Sequence, residues 1–283
     1  MNVKKRISVI VSVWLLTLLL SGYASVGGGE GEAYSVREIP VYVDGCLDHT
    51  GYWIEDTVYV PLRSFCGGLD LGATAAYHPA GETMSVSMHH EESTYLLTAR
   101  VGDVYLYIND RIVYLEQQVI SYRGNVLVPV QGLARGFGVT ADMDDAGLHL
   151  HSDTLKLCKS GSEVYDPTDL KWLSHIINAE AGNQSLEGQI CVGNVVLNRV
   201  ADARFPDTVQ GVIFSPNQFC PVKSGTVYCT PDADAVAAAK LCLEGVNLAG
   251  ESLYFVNPVT GSTAWFRENL TYAMTVGDHD FYF

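Results

Sequence analysis

The chain has 283 residues, 48% hydrophobic and 17% charged, with 32 Asp and Glu against 17 Lys and Arg. That length and apolar content suit one large or two ordinary folded domains and exclude a disordered chain. A formal net charge of −15 excludes a general nucleic-acid binder, which needs a positive surface to displace counterions from phosphates.

The first predicted element is an export signal over residues 1–24. Lys4, Lys5 and Arg6 precede a mostly apolar run from Ile7 to Leu20, and Gly22-Tyr23-Ala24 places small residues at the cleavage positions. As a helix that run reaches only about 21 Å, short of the roughly 30 Å hydrocarbon core, so no stable membrane span is expected after cleavage. Residues 25–35 are a Gly-rich lead. Secretion also bears on the seven cysteines, all beyond residue 45. In an oxidising compartment some should pair, with an odd one left over. Cys220 and Cys229 are the first pair expected, because they bracket a short Gly-containing loop.

Residues 36–155 alternate Val, Tyr and Leu with polar residues between turn signals, as in Val104-Tyr105-Leu106-Tyr107-Ile108. That is strand periodicity. The segment repeats itself: Asp56-Thr57-Val58-Tyr59-Val60-Pro61-Leu62-Arg63 is echoed by Gly124-Asn125-Val126-Leu127-Val128-Pro129-Val130-Gln131. Each copy reads as a turn, a short strand, and a Pro that opens a brief helix. These residues resemble the copper-amine-oxidase N-terminal-like domain, although Gln131 stands where Arg is usual. Despite that label no metal or other cofactor is expected. His89-His90 and His149-x-His151 read as solvated histidines on strand ends. The expected fold is an antiparallel-sheet module with short helices, acting in structure or wall association and carrying most of the chain's acid excess.

A linker is expected over 156–166, and helical patterns dominate 167–283. Asp166-Pro167-Thr168-Asp169 is a helix start, with an Asp cap and Pro in the first turn. Leu170, Leu173, Ile176 and Ile177 then define a buried face, and Glu180 falls on it, just before Gly182. A carboxylate on the core side of a helix C-terminus is disfavoured by desolvation and by the negative dipole end. Both effects favour a proton held near neutral pH, which is what a general acid needs. A second helix opens at Ser185, with Gly193 allowing another helix to approach and Cys191 reading as a core thiol. Glu187 lies in its first turn, where the helix dipole also accounts for an acid. Thr230-Pro231-Asp232 caps an Ala-rich helix closed by Gly245, and strand-like residues finish the chain.

Residues 170–283 resemble the SleB-type cell wall hydrolases. The resemblance rests on Ala179-Glu180-Ala181, Glu187-Gly188-Gln189, Val195-Val196-Leu197-Asn198-Arg199-Val200, Phe205-Pro206, Gly211-Val212-Ile213, Gln218-Phe219, Leu253-Tyr254-Phe255-x-Asn257-Pro258 and Gly277-x-His279-x-Phe281-Tyr282. Gln184 departs from it, standing where relatives carry a carboxylate. The resemblance implies an α+β chain whose second half is a small, helix-rich, lysozyme- or transglycosylase-like catalytic domain. It implies a peptidoglycan lytic transglycosylase acting on glycan strands of cell wall or spore cortex, with Glu180 as general acid and base. Glu187, Gln218, Phe219, Tyr254, Asn257, Trp265 and His279 are then the expected substrate-binding residues, and wall or spore-coat proteins the expected partners. Two alternatives stand beside it: an N-acetylmuramoyl-L-alanine amidase and a non-catalytic wall-binding protein. A zinc amidase needs converging His and carboxylate ligands, and this half offers only His175 and His279.

Overall fold

The structure is a computed structural model that describes residues 35–90, 92–259, 261 and 263–283. The expected signal and most of the Gly-rich lead lie outside the described residues. Among the described residues no helix is long and apolar enough to cross a membrane.

The first half comprises β1 (Val36–Val43), β2 (Cys46–Ile54), β3 (Thr57–Pro61), α1 (Leu62–Gly68), β4 (Thr74–His78), β5 (Thr83–His90), β6 (Ser93–Arg100), β7 (Tyr105–Ile108), β8 (Arg111–Tyr114), β9 (Ile120–Tyr122), β10 (Asn125–Pro129), α2 (Val130–Phe137), β11 (Thr140–Met143) and β12 (Leu148–His151). They form a seven-stranded sheet in the order β11-β12-β1-β2-β3-β10-β9 and a five-stranded meander β4-β5-β6-β7-β8. The two repeats are the strand-to-helix units β3–α1 and β10–α2. They lie side by side and antiparallel, with Val60 opposite Val128, so each copy supplies the other's strand partner. Pro61 and Pro129 occupy the N-cap positions, one residue earlier than a first-turn Pro. Phe65 of α1 meets Phe137 of α2 edge to face at 5.1 Å, which joins the two units in one core. One pairing departs from the antiparallel expectation: β12 runs parallel to β1, with Val41 opposite Leu148. The chain returns to the first strand only after the whole module is built, and it arrives in the same direction.

The second half comprises α3 (Gly161–Val164), α4 (Pro167–Ala181), α5 (Leu186–Ala201), α6 (Val209–Phe214), α7 (Cys220–Ser224), α8 (Ala233–Leu243), β13 (Tyr254–Val256), α9 (Ala264–Asn269), β14 (Tyr272–Val276) and β15 (His279–Tyr282). The Asp166 carboxylate accepts from the backbone N–H groups of Thr168 and Asp169 and starts α4, and Asp232 caps α8 through Ala235. Helices α4, α5 and α8 share one apolar core. They meet at Gly193, where a Cβ would lie 2.7 Å from the Cys242 Sγ and 2.8 Å from the Ile177 Cδ1. A small antiparallel sheet, β13-β15-β14, closes the domain. Its inner face packs on α5 through Phe281.

The two halves are in contact. Tyr105 and Ile112 of the meander join the core of the helical half, over the small side chains of α8. The Lys240 ammonium is buried and bonds the Asp110 backbone carbonyl at 2.9 Å. Arg111 bonds both carboxylate oxygens of Glu244 at 2.8 Å each. Tyr165 donates to Glu244 and accepts from the Ile112 N–H. The segment between the halves is pinned as well, because Lys156, Cys158 and Gly161 donate backbone bonds to Phe137, Gly136 and Asn109.

The expected Cys220–Cys229 bridge is not formed, and all seven cysteines are free. Cys220 opens α7 and Cys229 follows the next turn. Backbone bonds within that segment, Gly225 to Pro221 and Cys229 to Thr226, close the loop without a crosslink. Cys66, Cys191 and Cys242 are core residues, and burial pushes the Cys191 thiol up to about 11, so it is a poor nucleophile.

Candidate active site

The site is built from the end of α4, the last turn of α5 and the loop before β13. Glu180 sits one residue before the end of α4, half-buried. Desolvation pushes its carboxyl from an ordinary 4.5 up to about 7, against an opposing pull from the Arg199 guanidinium. At neutral pH the group is therefore divided between acid and carboxylate, as a proton donor that must later accept a proton requires.

Arg199 was not assigned a role in the sequence, yet it organises the surroundings. It lies in the last turn of α5 and is only 5% exposed. Its Nε donates to the Leu253 carbonyl at 2.7 Å and its Nη1 to the Gln218 Oε1 at 3.3 Å. Its Cζ lies 5.2 Å from the ring centroids of Phe205 and Phe219 and 5.4 Å from that of Tyr254. A cation surrounded by three rings keeps its charge while shedding most of its water. Burial lowers its pKa, and the neighbouring Glu180 and Tyr254 oppose that shift. The last two turns of α5 fix the loop ahead of β13: Asn194 bonds Val246 and Leu248, and Asn198 bonds the carbonyls of Gly250 and Ser252. A signal for Arg199 was available, since it continues the apolar spacing of Val192, Val195 and Val196 and a cation on a buried face must be partnered.

Gln218, Phe219, Tyr254 and Trp265 converge on this guanidinium or its aromatic cage. Gln218 is exposed and Phe219 is buried beneath Arg199. Trp265 is 53% exposed as a residue, and its ring meets that of Tyr254 at 6.4 Å. Asn257 lies just after β13, and its side-chain oxygen accepts from the Val259 N–H, shaping the turn that follows. His279 lies elsewhere. It is buried on the inner face of the small sheet, edge-on to Phe255 at 5.3 Å, and burial lowers its pKa. Alternation along β15 puts His279 and Phe281 on the core side and Tyr282 on the outside.

Glu187 is also placed apart. It is exposed and lines a hollow between the two halves with Arg100, Asp103, Tyr105, Gln118 and Asp234. Its charge acts on Tyr114 and Cys191. Gln184, the departure noted above, forms a reciprocal pair with Asp278: its Nε2 donates to the carboxylate at 3.0 Å and its Oε1 accepts from the Asp278 N–H at 2.9 Å. A carboxylate at 184 would lose the donor and face a like charge. The Nδ1 of His175 bonds the Val227 carbonyl at 2.9 Å. Among the described residues no three His, Cys, Asp or Glu side chains converge to hold a metal ion.

Comparison with known proteins places both halves. Residues 183–282 match the family model described as Cell Wall Hydrolase, and residues 44–150 match that of the copper amine oxidase N-terminal domain. The first match begins three residues after Glu180. Over 101 residues the chain is 37% identical to a spore cortex-lytic enzyme of Bacillus cereus, a span of 36% of this chain and 39% of that enzyme. It is equally identical over 101 residues to the spore cortex-lytic enzyme of Oceanobacillus iheyensis, covering 37% of it. The chain thus spans less than two fifths of the length of these curated relatives. It is also similar to the solved catalytic domain of the germination-specific lytic transglycosylase SleB from Bacillus anthracis, with 32% identity and a TM-score of 0.40. That likeness covers 44% of this chain and all of the solved one. Residues 183–282 therefore belong to the SleB-type cell wall hydrolases, and they follow a copper amine oxidase N-terminal domain at residues 44–150.

Proposed function

We propose that the helical half is a lytic transglycosylase that cuts the bond between N-acetylmuramic acid and N-acetylglucosamine in cell wall or spore cortex, outside the cytoplasmic membrane. The observation that carries this reading is a single half-buried carboxyl, Glu180, pushed up to about 7, whose acting charged neighbour is a guanidinium. A glycosidase that activates water or forms a covalent intermediate uses two flanking carboxyls. Intramolecular attack needs one. Protonated Glu180 donates to the bridging oxygen as the muramic C1–O bond breaks, leaving a free hydroxyl on the glucosamine. The resulting carboxylate then takes the proton of the muramic C6 hydroxyl as O6 bonds C1. The product is a 1,6-anhydro end, no water is consumed, and Glu180 regains its proton. Tyr254 and Trp265 offer aromatic faces for sugar rings beside that carboxyl, and Gln218 offers an amide to a hydroxyl.

Two placements favour this over a zinc amidase: His175 is turned to a backbone carbonyl and His279 is packed in the core. The test is digestion of purified cortex and vegetative peptidoglycan with mass analysis of the fragments. Anhydro-muramic ends are expected. New reducing ends would replace the reading with hydrolysis, and released stem peptides with an amidase. Glu180→Gln should lose on the order of 10²–10⁴ in rate while still binding glycan, and full activity in that variant would remove Glu180 from the mechanism.

A further inference from the structure

The small sheet presents an outward face of which the mechanism above uses only Tyr254, at one edge. Tyr254 of β13, Tyr282 of β15 and Tyr272 of β14 stand directly opposite one another across it. A bulge between Tyr272 and Met274 turns Met274 to the core side and leaves Tyr272 in the outer row. In the next row Asp280 stands opposite Thr275. Short helix α9 lies over one edge, and an open hollow of about 430 Å³ remains beside it, lined by Arg267, Leu270, Tyr272, Thr275, Asp280 and Tyr282. That volume falls within the roughly 300–1,000 Å³ of small-molecule sites.

The lining is ordered for recognition. Tyr282 is the buried floor, 1% exposed, and Tyr272 is a wall, 54% exposed as a residue. The two rings meet at 5.8 Å, nearly perpendicular. The Tyr272 and Thr275 hydroxyls bond at 2.8 Å, and Thr275 donates to the Asp280 Oδ1 at 2.6 Å. Among the described residues no acid pairs with the Arg267 guanidinium, and the Asp280 Oδ2 accepts no bond. The hollow thus offers an aromatic face, a free donor and a free acceptor. Its two charges are of opposite sign, so Asp280 disfavours an anion and Arg267 a cation. A neutral ring rich in hydroxyl and amide groups suits it.

An aromatic run joins this hollow to Arg199, the cation whose charge acts on Glu180. Tyr254 touches Arg199 and Trp265. Trp265 meets Phe266 at 5.5 Å, and Phe266 meets Tyr282 at 5.5 Å. From β13 to β14 is two strand spacings, about 10 Å, a span that one glycan strand can occupy end to end.

We propose that the hollow is a distal saccharide subsite, holding a sugar of the same glycan strand that Glu180 cuts. The ring packs on Tyr272, and its hydroxyl and acetamido groups bond Asp280, Thr275 and Arg267. This rests on the function proposed above, and its test separates the two. Tyr272→Ala and Arg267→Ala are compared with the unaltered protein on long glycan strands and on the shortest oligosaccharide it cuts. On long strands KM should rise roughly three- to tenfold, while the short substrate, which ends before the hollow, keeps its rate. Tyr272→Phe keeps the ring and should keep most of the long-strand KM. Equal losses on both substrates would mean a structural role, and no loss on either would remove the subsite. A Glu180→Gln protein provides a second measurement independent of the chemistry. Its equilibrium binding to purified glycan strands should weaken severalfold when Tyr272→Ala is added, and unchanged binding overturns the proposal. If the unaltered protein cuts neither substrate, the transglycosylase reading fails, and the binding measurement still decides the subsite.

Discussion

Two arginines in this protein approach a glutamate, with opposite results. At the contact between the halves, Arg111 bonds both oxygens of Glu244, and those bonds raise the arginine's pKa. In the site, Arg199 is committed to a carbonyl, an amide and three rings. It acts on Glu180 only through space, and burial lowers its pKa. A carboxylate that receives a full guanidinium fork is a clamp. A carboxylate that only senses the cation, and loses water without gaining a bond, holds a proton near pH 7 and can pass it on. The difference lies in what each guanidinium bonds: the carboxylate itself for Arg111, and a carbonyl and an amide for Arg199.

The largest consequence is a stability that depends on pH through Glu180. Its pKa is raised in the folded state, to about 7 from 4.5. Between those values the native chain holds more protons than the unfolded one, so stability falls as pH rises through that window. Glu180→Gln mimics the protonated form and removes the penalty. The variant should gain on the unaltered protein by up to about 3 kcal/mol between pH 4.5 and pH 8, as it loses activity. Thermal midpoints of both proteins across that range check this, and a constant difference between them would show that Glu180 titrates normally.

The clamp should behave in the opposite manner. Arg111→Met leaves a partly buried Glu244 without its cation and should cost about 1–3 kcal/mol in denaturant unfolding. Adding Glu244→Gln removes the stranded charge, keeps an acceptor for Tyr165, and should recover much of that loss. Neither change should move the pH profile of cleavage, because the charge acting on Glu180 is Arg199. A shifted profile in Arg111→Met would tie the module contact to the catalytic proton.

Much of this was legible in the sequence wherever one element decides the outcome. Spacing from Leu173 and Ile177 alone puts Glu180 on the buried side of its helix, and that burial is what raises its pKa. The Asp166 cap and the close approach at Gly193 are likewise local. The repeat was readable as two strand-to-helix units, but their antiparallel pairing at Val60 and Val128 depends on register between distant segments. Glu187 shows the limit most plainly. Helical spacing gives its face on α5, but only the docking of the meander decides that this face looks into a hollow beside Asp103 and Asp234. His279 turned inward because alternation fixes which residues share a face, not which face is covered. The Cys220 and Cys229 spacing suggested a bridge where backbone bonds already close the loop.

The finest test of the comparison concerns the charge of Arg199 itself. Desolvation dominates at Glu180 and the guanidinium opposes it, so removing the positive charge lets the carboxyl pKa climb further. The form that must be protonated then survives to higher pH, and the alkaline limb of kcat/KM moves upward. Arg199→Met should show that movement. Arg199→Lys keeps a cation in the aromatic cage and should hold the limb near its original place, although it loses the fork geometry. Both variants sacrifice a bond to the Leu253 carbonyl, so their absolute rates can fall together. Only the position of the limb separates charge from packing. If the limb stays fixed in Arg199→Met, the cage is a structural anchor for the loop ahead of β13. If it moves down in both variants, desolvation has changed rather than charge, because a looser cage admits water to Glu180 and lowers its pKa.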